Sequence, residues 1–257
     1  MTDMASVSSI RFVEQFHLLF LAQLGRRLNP SLFVLKGGCN LRFFLGSVRY
    51  SEDMDLDLGE VSADVFRDKV RDVLASRPFA QILEARGVAI DRVSAPKQTE
   101  TTQRWKFGLR LTTASATLPT KIECSRRGLD AGVAFGSVDP RIARDYQLPP
   151  LMVSHYDAAA ALRQKIGALA GRPETQARDV FDAHHLLGSG SAGVAALGLD
   201  ERLVERASAN AMAIDFATFK SQVLAFLEPD DQARFDSASA WDTIVLEVVD
   251  ALRGGRR

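Results

Sequence analysis

Apolar residues recur at helical spacing between residues 9 and 28 (Phe12, Phe16, Leu19, Phe20, Leu24), and Asn29-Pro30 closes the run, which predicts an opening amphipathic helix. "SLFVLKGG" (31–38) then reads as a short buried strand that breaks at Gly37-Gly38, and "CNLRFFLG" (39–46) returns to helical character. In "RYSEDMDLDLG" (49–59) the period changes to two: Asp53, Asp55 and Asp57 fall on one side of a strand and Met54, Leu56 and Leu58 on the other. A helix over 63–76 follows, with Val65, Phe66, Val70, Val73 and Leu74 along one side. Two further strands are expected at 104–111, where Trp105, Phe107, Leu109 and Leu111 alternate, and at 119–125, where Lys121, Glu123 and Ser125 oppose Ile122 and Cys124. Residues 126–150 turn to Gly, Pro and Arg, the composition of a linker or long loop. Beyond it almost every stretch is helical: 157–171, 174–187, 200–211, 215–227 and 237–253. The pattern predicts an α+β chain, with a mixed α/β domain over 1–140 and a helical C-terminal domain over 141–257.

The 257 residues are 46% hydrophobic and 25% charged, which places the chain among ordinary globular proteins able to bury a core. Lys plus Arg and Asp plus Glu are both 32, so no global field selects a nucleic acid or a membrane, and any polyanion site has to be local. Local cations do occur: Arg104, Lys106 and Arg110 on one strand face, Lys121 with Arg126-Arg127, and Arg253, Arg256 and Arg257 in the tail. Cys39 and Cys124 show no metal spacing, the N-terminus carries no basic region ahead of an apolar one, and "FHLLFLAQLG" falls short of the roughly 20 residues that span a bilayer. The expectation is a reduced, cytoplasmic protein without a membrane partner.

Asp53 and Asp55, sharing a strand face at roughly 6.5 to 7 Å between Cα atoms, should repel. Either that face meets water, or a cation sits between them, and oxygen ligands without histidine or cysteine suit Mg²⁺ or Mn²⁺. A solvated edge strand satisfies the same spacing. Gly37-Gly38 between a strand and a helix adds a place where backbone N–H groups and a helix N-terminus can approach a phosphate, although a plain tight turn also uses such a pair. Neither G-x-x-x-x-G-K-[ST] nor G-x-G-x-x-G occurs around it, so the P-loop and dinucleotide readings lose support.

"LKGGCNLRFFLGSVRYSEDMDLDL" resembles the AbiEii-type nucleotidyltransferase toxins of the polymerase-β-like superfamily, whose signature runs roughly K-G-G-x-x-L-R and then R-x-S-x-D-x-D. Lys36, Gly37, Gly38, Leu41, Arg42, Arg49, Ser51, Asp53 and Asp55 match it. Cys39 and Asn40 stand where Thr or Ser and a small residue are common. The second half matches as well: a helical lysine followed by an R-D-x-x-D helix is met by Lys165, Arg178, Asp179 and Asp182. Lys165 lies about 60° from Leu162 and about 40° from Leu169 on a helical wheel, at the border of the apolar stripe. A lysine snorkelling past the core, and an exposed i, i+4 pair of Arg178 with Asp182, fit the same spacings.

The resemblance implies a polymerase-β-like nucleotidyltransferase domain with a mixed sheet, followed by a helical bundle, and an enzyme that transfers NMP from an NTP with release of pyrophosphate. Asp53 and Asp55 would hold Mg²⁺ or Mn²⁺, with Glu123 a candidate third ligand that serves equally as the cross-strand partner of a lysine or arginine. Lys36, Gly37, Gly38, Arg49 and Ser51 would hold the nucleotide, Lys165 would offset phosphate charge, and Asp179 or Asp182 would act near the acceptor. His184 and His185, about 100° apart on a helix, read as structural. The implied partners are NTP, an RNA acceptor with tRNA first, and a cognate antitoxin. The alternatives are a protein hydroxyl as acceptor, or a non-catalytic nucleotide- or RNA-binding module of the same fold. Ser51, two residues before Asp53, is also where a phosphate would add roughly two negative charges beside the carboxylates and oppose nucleotide binding.

Overall fold

The computed structural model describes residues 3–112, 117–190 and 193–254. In chain order the first part runs α1 (Asp3–Gly25), β1 (Phe33–Lys36), α2 (Gly37–Phe44), β2 (Met54–Leu58), α3 (Ala63–Leu74), α4 (Arg77–Ala85), β3 (Val88–Gln98), β4 (Thr102–Leu111), β5 (Thr117–Ser125), β6 (Val133–Ser137), α5 (Pro140–Asp145) and β7 (Met152–Tyr156). The strands form one seven-stranded sheet in the order β3-β4-β5-β2-β1-β7-β6. It is mixed: β2 runs parallel to β5 and β1 to β7, and the other neighbours are antiparallel.

The register explains the two-sided sequence pattern. Phe33 lies opposite Leu58 and Leu35 opposite Leu56, and Met54, Leu56, Ile122, Cys124, Trp105, Phe107 and Leu109 continue the same apolar face. Phe16, Leu19, Phe20 and Leu24 of α1, Phe66, Val70 and Val73 of α3, and Phe79 and Leu83 of α4 cover it. The helix starts are fixed locally: Ser62 and Ser76 accept hydrogen bonds from the Val65 and Phe79 amides, and Pro78 occupies the first turn of α4. On the opposite face the row Lys36, Asp55, Glu123, Arg104, Lys97 crosses five strands in register.

The helical part comprises α6 (Ala158–Gly171), α7 (Ala177–Gly188), α8 (Glu201–Met212), α9 (Phe216–Gln222), α10 (Pro229–Phe235) and α11 (Ala238–Gly254). Asp157, Asp200 and Asp215 cap α6, α8 and α9. Its core gathers Leu162, Ile166, Val180, Phe181, Val204, Ala207, Val248 and Leu252, with Trp241 stacked on Phe219 at 4.5 Å between ring centroids. The buried Trp241 indole N–H donates to the Ile214 carbonyl at 2.9 Å.

The structure departs from the sequence pattern in three places. The chain forms two compact units, one of residues up to Gly46 with Tyr50–Tyr156 and the other of Ser47–Arg49 with Asp157 onward, so the division comes at 156 and not at 140. The cause lies in the supposed linker, which folds as β6 and α5 and leads into β7, an interior strand beside β1. Edge strand β3 and helix α4 lie where the sequence pattern predicts no element. From Asp91 through Lys97 β3 is exposed on both sides, so it has no apolar alternation to announce it. Third, α2 begins at Gly37, so the paired glycines are its first residues and not a turn ahead of it. Arg256 and Arg257 of the basic tail lie outside the described residues.

Candidate active site

Within the first unit, Asp53 and Asp55 stand at the start of β2 on the polar face of the sheet. Gly37, at φ +67°, sits against Asp55, and a Cβ at Gly37 would lie 3.0 Å from Asp55 Oδ2. Glycine is therefore required twice, by backbone conformation and by the close approach of the carboxylate. Among the described residues no hydrogen bond or ion pair reaches the Asp55 carboxylate. Its burial pushes its pKa above the ordinary range; Lys36 opposes this, Asp53 and Glu123 reinforce it, and Lys121 opposes it. Asp53, in contrast, is held by Lys121 of β5, whose ammonium lies 2.6 Å from Oδ2 and whose backbone N–H donates to Oδ1 at 3.2 Å.

Asp57 is neither idle nor exposed. It is 5% exposed and bonded on both oxygens, at 2.5 Å by the Lys36 ammonium and at 3.0 Å by the Tyr156 hydroxyl. Lys36 thus enters the site already paired, at its border with β1. Glu123 lies beside Asp55 in register, but its carboxylate accepts from Arg104 Nε at 2.5 Å, the cross-strand pairing left open for it. Among the described residues no three histidine, cysteine or acidic side chains converge as a metal cage. Two oxygen donors on one strand nevertheless fit Mg²⁺, which binds through one or two carboxylates and takes its other ligands from phosphates and water.

The backbone leading into Asp53 is tied down by Ser51 and Cys39 and by two residues, His17 and Thr120, that carried no sequence signal. Thr120 donates its single hydroxyl proton to the Glu52 carbonyl at 2.6 Å. His17 of α1, 2.8 Å from the same oxygen, must then be the donor through Nε2–H, which leaves Nδ1 bare and facing Cys39 Sγ at 3.6 Å. Cys39 in turn reaches the Asp53 carbonyl at 3.3 Å, as does the Ser51 hydroxyl at 2.8 Å. Burial lowers the His17 pKa to about 4 against the pull of Asp53, so the ring is neutral at pH 7.

Within the second unit, Lys165, Asp179, Asp182 and Arg49 come together in a buried ion network. The Lys165 ammonium lies 2.7 Å from Asp182 and 3.0 Å from Asp179, Arg49 binds both oxygens of Asp182 at 2.9 and 2.8 Å, and Arg172 lies 3.0 Å from Asp179. Asp179 and Asp182 are 0% exposed. Burial would raise the Asp182 pKa, but Arg49 and Lys165 outweigh it and hold the carboxyl well below its usual range. Burial likewise disfavours the charge on Lys165, and the two aspartates reverse the effect. The exposed Arg178–Asp182 pair that fitted the same spacing is replaced by this network, and the lysine expected to meet phosphate is engaged by two carboxylates.

The polar sheet face and the strand-glycine-helix arrangement define a nucleotidyltransferase-like α+β protein. By structure the chain is similar to JHP933 from Helicobacter pylori (TM-score 0.57, 15% identity, covering 95% of this chain and 94% of that one). It is also similar to a candidate nucleotidyltransferase of H. pylori (TM-score 0.55, 15% identity, 100% and 99% covered). No curated protein sequence matches. The family model for the nucleotidyl transferase AbiEii toxin of type IV toxin–antitoxin systems matches residues 19–248, and the chain belongs to that family. It is accordingly a nucleotidyltransferase of a toxin family whose type implies an NTP substrate and an antitoxin partner. No described helix is long and apolar enough to cross a membrane.

Proposed function

We propose that the protein transfers NMP from an NTP to an RNA hydroxyl, with Asp53 and Asp55 holding the divalent ion that accompanies the triphosphate. The observation that carries this reading is the Asp55 carboxylate, packed on Gly37 and reached by no hydrogen bond or ion pair among the described residues, next to an Asp53 that already binds a cation, the Lys121 ammonium. Bound Mg²⁺ would supply charge neutralisation on the phosphates. The chain's own groups do the positioning: the α2 N-terminus offers the Gly37 and Gly38 amides to phosphate oxygens, and the Lys36–Asp57–Tyr156 chain fixes the neighbouring strand. Ser51, His17, Thr120 and Cys39 hold the Glu52 and Asp53 carbonyls, and so the direction of the Asp53 side chain.

In the reaction the acceptor oxygen forms a bond to the α-phosphorus as the bond to the β-phosphate oxygen breaks, and pyrophosphate leaves with that electron pair. Lys165, Asp179 and Asp182 form with Arg49 a buried ion network that stabilises the second unit, each committed to an ion pair away from water. A protein hydroxyl is the second acceptor. Incubation with each α-labelled NTP, Mg²⁺ and cell extract, with Asp55→Asn as control, tests the reading: label should enter RNA with the wild type alone. Label in protein alone would replace the acceptor, and no label at all from folded protein would refute transfer.

A further inference from the structure

The two edges of the sheet are built differently. The β3 edge carries Asp91, Arg92, Pro96 and Lys97, and its register against β4 shifts between Ile90 and Arg92 and again between Ser94 and Lys97. Charge, proline and irregular pairing keep an edge strand from pairing with another chain. The β6 edge, Val133–Ser137, has no charge and no proline, and it pairs with β7 without a shift. Val133 and Phe135 are 44% and 59% exposed, and Met152 of β7, opposite Ser137 and so on the same face, is 44% exposed. Large apolar side chains gathered at an unguarded sheet edge mark a surface that takes up another strand.

The backbone indicates which strand. The Val138 N–H donates to the Leu151 carbonyl at 2.9 Å, one step beyond the pair of Ser137 with Met152. Antiparallel pairs alternate between bonded and non-bonded, so Gly136 with Val153 and Ala134 with His155 are the bonded ones. The N–H and C=O groups of Val133, Phe135 and Ser137 therefore point away from β7, and among the described residues no hydrogen bond from another element reaches them. These outward positions are symmetric about Phe135. A second β6 laid antiparallel with Phe135 opposite Phe135 brings Val133 opposite Ser137 at both ends, and each pair can exchange both main-chain hydrogen bonds. The side chains agree with this register: Phe135 meets its counterpart directly and Val133 diagonally, Ala134 meets Gly136, and no like charges are juxtaposed. The strand is its own complement, which is the condition for a closed two-fold interface.

We propose that the protein self-associates through β6, as a two-fold dimer in which β6 pairs antiparallel with β6 of a second copy, Phe135 against Phe135. The contact falls below the roughly 800 Å² per partner of a standard interface, so the dimer forms reversibly at about 10 μM. The pairing does not depend on the transferase chemistry.

The test is sedimentation velocity of the full-length protein from about 1 to 100 μM, the range that brackets such an interface, joined to cysteine cross-linking. Wild type should pass from monomer to dimer, and Phe135→Glu, which sets two carboxylates opposite each other, should remain monomeric. Ser137→Pro deletes an outward N–H without touching a bond to β7 and should weaken the dimer at least about tenfold. In the proposed register two Phe135→Cys chains hold their Cα atoms about 5.5 Å apart, within disulfide range, whereas two Val133→Cys chains hold theirs more than about 13 Å apart. Mild oxidation should therefore cross-link Phe135→Cys and not Val133→Cys, the native Cys39 and Cys124 being buried. A wild type that stays monomeric throughout, a Phe135→Glu that still dimerises, or equal cross-linking by the two cysteine variants would overturn the β6 pairing. Circular dichroism checks the fold of each variant, and if Phe135→Glu does not fold, the cysteine pair decides.

Discussion

Asp182→Asn separates a structural from a catalytic part for the second-unit carboxylates. The substitution keeps the shape and removes one charge from a group that is 0% exposed and that binds Arg49 through two hydrogen bonds and Lys165 through a third contact at 2.7 Å. Arg49 is 4% exposed, so it loses its bidentate carboxylate without gaining water. Lys165 keeps Asp179. Breaking a buried pair by removing one partner costs about 3 to 5 kcal/mol, which for a chain of this size lowers the melting temperature by roughly 10 °C. The pH dependence has a definite sign. The folded pKa of Asp182 is depressed, so its contribution is present above the unfolded value near 4 and is lost as pH falls through the folded one. Lys165 is raised, so its contribution is present below about 10.4 and is lost as pH rises through its folded value. Thermal melts monitored by circular dichroism from pH 2 to 8, with transfer assayed well below both melting temperatures, should show a less stable Asp182→Asn whose acid arm is flatter than the wild type's. A variant that melts within 2 °C of the wild type yet has lost transfer would refute the structural assignment.

Two further outcomes follow from the first unit. Gly37→Ala puts a side chain at φ +67°, a strain of about 1 to 2 kcal/mol, and a methyl 3.0 Å from Asp55 Oδ2; transfer should fall about a hundredfold while urea unfolding shifts only modestly. Full transfer in Gly37→Ala would mean that the Asp55 contact has no functional weight. Thr120→Val leaves the Glu52 carbonyl and the His17 Nε2–H without their partner, costing roughly 1 to 3 kcal/mol, and should raise the Mg²⁺ concentration for half-maximal rate more than it raises the NTP KM. An unchanged Mg²⁺ requirement would show that the tether does not orient Asp53.

What the sequence disclosed was local. The switch from period 3.6 to period 2 around Asp53, and the glycines two strands' pairing away, lie within one short stretch, and β1, α2 and β2 form there. The polar networks within each unit were not legible because their members are far apart in the chain: Arg49 and Asp182 are separated by 133 residues and His17 and Thr120 by 103. Lys165, placed by its helical angle at the edge of an apolar stripe, is buried because partners on another helix neutralise it, a fact that no single-helix pattern contains. Edge strand β3 escaped for the opposite reason, being too exposed to alternate, and β6 because its large apolar residues, Val133 and Phe135, lie on its exposed side. Asp57, whose part the strand pattern alone does not give, is fixed by Tyr156, which belongs to a strand hidden beyond a stretch that reads as linker.

The central claim is that Asp53 and Asp55 carry nucleotidyl transfer. The direct measurement compares an α-labelled with a γ-labelled NTP, using wild type and Asp55→Asn in the presence of Mg²⁺ and total RNA. Wild type should leave the α label on RNA and release the γ label as pyrophosphate, and Asp55→Asn should do neither. Retention of the γ label on the acceptor would show phosphoryl transfer in place of nucleotidyl transfer, and an equally active Asp55→Asn would move the chemistry away from this strand.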